Sequence, residues 1–71
     1  MATYKAVFKN YLGITIGIYE GGASDVFGPT ATEEQADKLA QAVCNKVASA
    51  SGCATIWKNG KQIATQNYLN I

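Results

Sequence analysis

TEEQADKLAQAVCNKVAS, residues 32–49, is the stretch whose reading decides the fold. Thr32 stands where an N-cap hydroxyl can accept from the amide three residues on, Gln35 completes a capping box, and Glu33 and Glu34 put negative charge where the helix dipole favours it. Ala36, Leu39, Ala40, Val43 and Val47 recur at helical spacing and predict one apolar stripe. Glu34, Asp37, Lys38, Gln41, Asn45 and Lys46 predict the solvated face opposite. Two alanines in the stripe let such a helix lie close on a sheet, and Gly52 is the expected stop. At about 1.5 Å per residue the helix is roughly 27 Å long, the span of about eight strand residues.

The segments on either side read as strands. Residues 3–9 alternate, with Tyr4, Ala6 and Phe8 on the side expected to face the core and Lys5, Val7 and Lys9 on the other. Beyond a turn at residues 10–13, ITIGIYE alternates more sharply and is expected to send Ile14, Ile16 and Ile18 inward and Thr15, Gly17 and Tyr19 outward. Gly21-Gly22 accepts positive φ at little cost and predicts a tight turn into a short third strand at Ala23–Phe27, with Phe27 opposite Ile16 and Val26 opposite Gly17. Gly28-Pro29 ends that pairing, because proline has no N–H for a ladder.

After the helix, Asn59-Gly60 between two strand-like runs is the strongest short-range hairpin signal in the chain. With these two as the loop, Lys58 pairs Lys61, Trp57 pairs Gln62, Ile56 pairs Ile63 and Thr55 pairs Ala64. Ile56 and Ile63 then face the core and Trp57 faces away. The fold class expected is α+β: a small antiparallel sheet of four to five strands, in the order ββ(β)αββ, with one helix on one face, the whole of residues 1–71 making one domain.

Composition narrows the chemistry. The chain has 71 residues and a net charge of +1; its six basic residues are all lysines. Lacking the guanidinium fork and a strong positive field, it is a poor fit to duplex nucleic acid. Histidine is absent, which removes the usual general base near neutral pH and the commonest transition-metal ligand. No catalytic, metal-binding or cofactor-binding motif is present, so an enzyme is not expected and no cofactor is implied. Glu20, Asp25, Glu33, Glu34 and Asp37 concentrate around the helix start, where carboxylates serve the dipole and Glu34–Lys38 is an i, i+4 pair. Gly21-Gly22 lacks the spacing and lysine of a phosphate loop.

Cys44 and Cys53 raise the question of a disulfide. It is disfavoured, since Cys44 lies about 9 Å along the helix axis from the turn that Cys53 follows, whereas bonded Cα atoms lie about 4.4–6.8 Å apart. Without an apolar run long enough to span a bilayer, the chain is expected in the cytoplasm, or outside the cell if a signal peptide has been removed, and no membrane partner is expected.

One helix covers one face of a sheet, so the other face is where function is expected. Trp57, Tyr19, Val7, Lys5, Lys9 and Gln62 are the predicted partner-binding residues, on an outer face that also takes in Thr15, Gly17, Val26, Thr55 and Ala64. The leading expectation is a small non-enzymatic module that binds a larger protein through this face or a sheet edge, as inhibitors, immunity proteins, antitoxins and phage-encoded antagonists do. The runner-up is a single-stranded nucleic-acid binder, with Tyr19 and Trp57 stacking bases and Lys5, Lys9, Lys58 and Lys61 tracking the backbone. A structural homo-oligomer, joined by outer faces or strand edges, is the third reading.

Overall fold

The computed structural model describes residues 2–70. Strand β1 (Tyr4–Lys9) and strand β2 (Thr15–Gly21) form the first hairpin; a short helix α1 (Ala23–Phe27) and the long helix α2 (Glu33–Ser49) follow. Strand β3 (Cys53–Lys58), strand β4 (Lys61–Asn67) and a closing 3-10 turn (Tyr68–Asn70) complete the chain. The four strands are antiparallel in the order β2-β1-β3-β4, so the long connection through α1 and α2 carries the chain from an edge strand back to the centre of the sheet. This is an α+β fold of the expected kind with four strands.

The fifth strand is not formed. Ala23–Phe27 is a single helical turn because Asp25, three residues past Gly22, accepts from the Gly22 amide at 2.8 Å while its own amide donates to the Gly22 carbonyl at 3.0 Å. This local closure takes the chain out of the sheet. It also sets Phe27 edge-on to the Tyr4 ring at 5.5 Å, sealing one end of the core.

Helix α2 begins as its sequence demands. Gln35 donates its amide to the Thr32 hydroxyl at 3.2 Å, and the Thr32 amide donates back to the Gln35 side chain at 3.0 Å. Its buried row is Ala36, Ala40, Cys44 and Ala48, a strict i, i+4 ridge; Val43 and Val47 flank it and Leu39 lies 45% exposed beside it. Small side chains along the ridge bring the helix close to the strands, where it meets Ala6, Ala54, Ile56 and Ala64. The helix ends at Ser49, and the left-handed residue that closes it stands one position before the expected glycine. Ser51 takes the left-handed conformation (φ 65°), with Ser51 and Gly52 amides donating back to Ala48 and Val47 at 3.0 Å each. Gly52 is needed for a different reason: a Cβ there would stand 2.9 Å from Val47 Cγ1 and 3.0 Å from the Lys9 carbonyl.

Both hairpins depart from the expected register, and the close-lying helix explains the departure in the second. In the second hairpin Asn59 and Gly60 take φ of 51° and 80°, and Lys58 pairs Lys61 and Trp57 pairs Gln62 as the Asn-Gly turn requires. A bulge then makes Ile63 the unpaired residue, so Ile56 faces Ala64 and Thr55 faces Thr65. Ala64, not Ile63, enters the core, because space under an alanine-lined helix admits a methyl group and excludes a branched side chain.

In the first hairpin Phe8 pairs Gly17, Val7 pairs Ile18 and Ala6 pairs Tyr19, with a shift at Lys9–Thr15 that leaves Ile16 as the extra residue. Tyr4, Ala6 and Phe8 do face the helix, so Gly17 and Tyr19 share that face, and Ile18 turns to the other. Ile14, Ile16 and Ile18 are 58%, 65% and 57% exposed, against the expectation that they build the core. The cause is topological: α2 lies across β3 and β4, and β2 is at the far edge.

Candidate functional site: the uncovered sheet face and its edge

Register assigns each paired strand residue to a face. Opposite α2 stand Lys5, Val7 and Lys9 on β1, Thr15, Ile18 and Glu20 on β2, Cys53, Thr55 and Trp57 on β3, and Gln62, Thr65 and Asn67 on β4. Five of the six predicted binding residues, Trp57, Val7, Lys5, Lys9 and Gln62, therefore lie together. Tyr19 does not. It sits on the helix side, its ring 5.7 Å from Phe8 and packed over Gly17, where the missing side chain leaves room for it. Gly17 and the buried Ala64 also leave the expected outer set, and Val26 belongs to α1.

Trp57 is the centre of the outer face. It pairs with Lys5 on one side and Gln62 on the other and is half-buried. One shallow groove runs from Trp57 past Lys5 and Glu20 towards Gly60; a second runs the other way past Val7, Thr55 and Thr65 to Cys53. Lys5 meets Glu20 at 3.5 Å, and the Thr55 and Thr65 hydroxyls meet at 3.1 Å. Val7, Ile18 and Trp57 thus form a low apolar ridge within a polar frame. Ile18 was missed from sequence, where its hydrophobicity placed it with Ile14 and Ile16 towards the core.

Both cysteines are free thiols. Cys44 is buried under the helix and its thiol is pushed up by burial, while Cys53 lies on the opposite face of the sheet, so the sheet itself separates them.

The strongest electrostatic cluster lies on the helix side. Asp37 of α2 receives the Tyr4 hydroxyl at 2.7 Å and the Lys58 ammonium at 2.6 Å. Its hydrogen bond to Lys58, then that to Tyr4, hold its carboxyl below the ordinary 3.8. All three groups satisfy one another, which makes the cluster a latch joining helix to sheet. Among the described residues, no group of three or more His, Cys, Asp or Glu side chains is placed to hold a metal ion, and no helix is long and apolar enough to cross a membrane.

Tyr19 and Trp57 stand on opposite faces of the sheet and do not share one surface. Compared with protein-family models, with curated proteins and with solved structures, the chain matches none.

Proposed function

We propose that this chain is a small non-enzymatic protein-binding module that recognises a larger protein through the sheet face opposite α2. The observation that carries the reading is the ridge of Trp57, Val7 and Ile18 on a face that no element among the described residues covers. A half-buried tryptophan set between lysine and glutamine fits a binding anchor: a large apolar side chain held by its strand, with polar groups at its rim. The lysines and Glu20 supply that rim.

The test is affinity capture followed by mass spectrometry with three proteins: the wild type, Trp57→Ala and Tyr19→Ala. Loss of a captured partner with Trp57→Ala, and its retention with the helix-side control Tyr19→Ala, supports the reading when circular dichroism shows both variants folded. Equal capture by wild type and Trp57→Ala overturns it.

A further inference from the structure

We infer that a second copy of this chain pairs with β2 along its open edge, antiparallel and about a two-fold axis close to Gly17 and Ile18, joining two four-stranded sheets into one continuous sheet.

The starting point is a contradiction between the sequence of β2 and its place. A strand apolar on both faces belongs inside a sheet, flanked on both sides. Strand β2 carries Ile18 on the open face, while Ile16 and Tyr19 border the helix-side groove beside Phe8, Val43 and Val47. Yet β2 stands at the edge, with its outer backbone groups unpaired by any strand among the described residues. Together with the turn before it, it exposes Tyr11, Leu12, Ile14, Ile16 and Ile18, each more than half accessible, within eight consecutive positions.

The opposite edge shows how this chain protects a strand. Strand β4 begins with a lysine, is kinked by its bulge, and is overlaid by α2, with the Gln41 side chain donating to the Thr65 carbonyl at 3.2 Å and Gln66 donating to Asn45 at 3.1 Å. Strand β2 has no lysine and no proline, and its irregularity is confined to Ile16, leaving Gly17–Gly21 regular.

A second copy suits this edge better than an arbitrary strand because β2 complements itself. Reversed against its own copy about Ile18, the strand sets Ile18 opposite Ile18 on the open face and Gly17 opposite Tyr19 on the helix side, and an apolar cross-strand pair of this kind is favourable. Its one charge, Glu20, is already met by Lys5. Antiparallel pairing about Gly17 or Ile18 sends the two Glu20 carboxylates to opposite ends, more than about 10 Å apart and beyond the screening length at physiological ionic strength. A parallel arrangement would set them side by side. Seven paired residues a side make an interface below about 1,200 Å², so the dimer is weak and forms with rising concentration. The pairing leaves the Trp57 face open on both copies, which makes it independent of the proposed partner contact.

The experiment is sedimentation equilibrium of the wild type, Ile18→Lys and Ile16→Lys from about 10 μM to about 1 mM, the range in which an interface of this size associates. Backbone amide exchange of the wild type is followed over the same range. The expected result is a mass that doubles with concentration, slowed exchange confined to β2, and monomers for both folded lysine variants. A wild type that stays monomeric at the highest concentration overturns the inference, as does a dimer that both variants retain or whose slowed amides lie outside β2. If both variants fail to fold, the location of the wild-type amides decides. A monomer would leave the Trp57 capture experiment unaffected, so the two proposals fail separately.

Discussion

Tyr4, wholly buried at the start of β1, donates its hydroxyl to the Asp37 carboxylate of α2 at 2.7 Å. Lys58, at the end of β3, donates to the other carboxylate oxygen at 2.6 Å, so a single helical side chain bridges two adjacent strands. Burial, then the bond to Asp37, raises the Tyr4 phenol above its ordinary 10.0, and the bond to Asp37 raises Lys58 above 10.5.

The pH dependence of stability follows from these directions. Because folding depresses Asp37, its contribution is complete above 3.8, declines as pH falls below that value, and is gone once pH has passed the lower folded value. Lys58 and Tyr4 are raised by folding, so their contributions hold below 10.5 and 10.0 and disappear as pH climbs through the folded values. Thermal melts should show wild type well above Asp37→Asn at about pH 6, with the gap closing towards about pH 2. A gap that stays constant with pH would contradict the latch.

Tyr4→Phe keeps the ring against Phe27 and removes only the donor. Urea unfolding should show a loss of about 1.5 kcal/mol, the scale of a hydrogen bond to a charged group.

The end of α2 separates two requirements that sequence had merged in Gly52. Ser51→Gly should stabilise the protein by about 1 kcal/mol, since Ser51 holds φ 65° against the preference of a side-chain-bearing residue. Gly52→Ala should destabilise it by about 1–3 kcal/mol, because the added methyl meets Val47 and the Lys9 carbonyl. Denaturant midpoints shifting in opposite directions are the check.

The bulge in β4 predicts unequal isoleucines. Ile56→Ala, at a fully buried site, should cost about 2–5 kcal/mol. Ile63→Ala, at a residue 37% exposed, should cost less than about 1 kcal/mol. Equal losses would restore the Ile56–Ile63 pairing that an unbroken hairpin implies.

The thiols should differ in kind. An aromatic disulfide reagent should modify Cys53 in the native protein, and Cys44 only after denaturant is added, as its burial and raised pKa require. Mass spectrometry of the singly labelled native protein identifies the site.

Part of the first hairpin is legible in its loop length. A four-residue loop at positions 10–13 pairs even positions with odd ones, so Phe8 and Ile16 cannot both point inward by simple alternation. Phe8 kept the core and β2 presented Gly17 and Tyr19 beside it. Hydrophobicity had favoured three isoleucines over a glycine and a tyrosine. The glycine makes the outcome workable, because the Tyr19 ring lies across it. The capping signals of α1 were equally present, in Asp25 three residues after Gly22, but a glycine pair reads as a hairpin turn as readily as a helix start.

By itself the sequence determined what depends on a few neighbouring residues: the Thr32–Gln35 capping box, the amphipathic helix, the Asn59-Gly60 turn, and the outward placement of Trp57. Only the tertiary structure decided that β2 stands at the edge, that α2 lies across β3 and β4, that Ala64 displaces Ile63, and that Tyr19 leaves the Trp57 face. Local signals set φ, ψ and alternation, whereas the face a strand buries is set by which elements the connections bring over it. Here the alanine ridge drew the helix onto the two C-terminal strands and left the isoleucine strand uncovered.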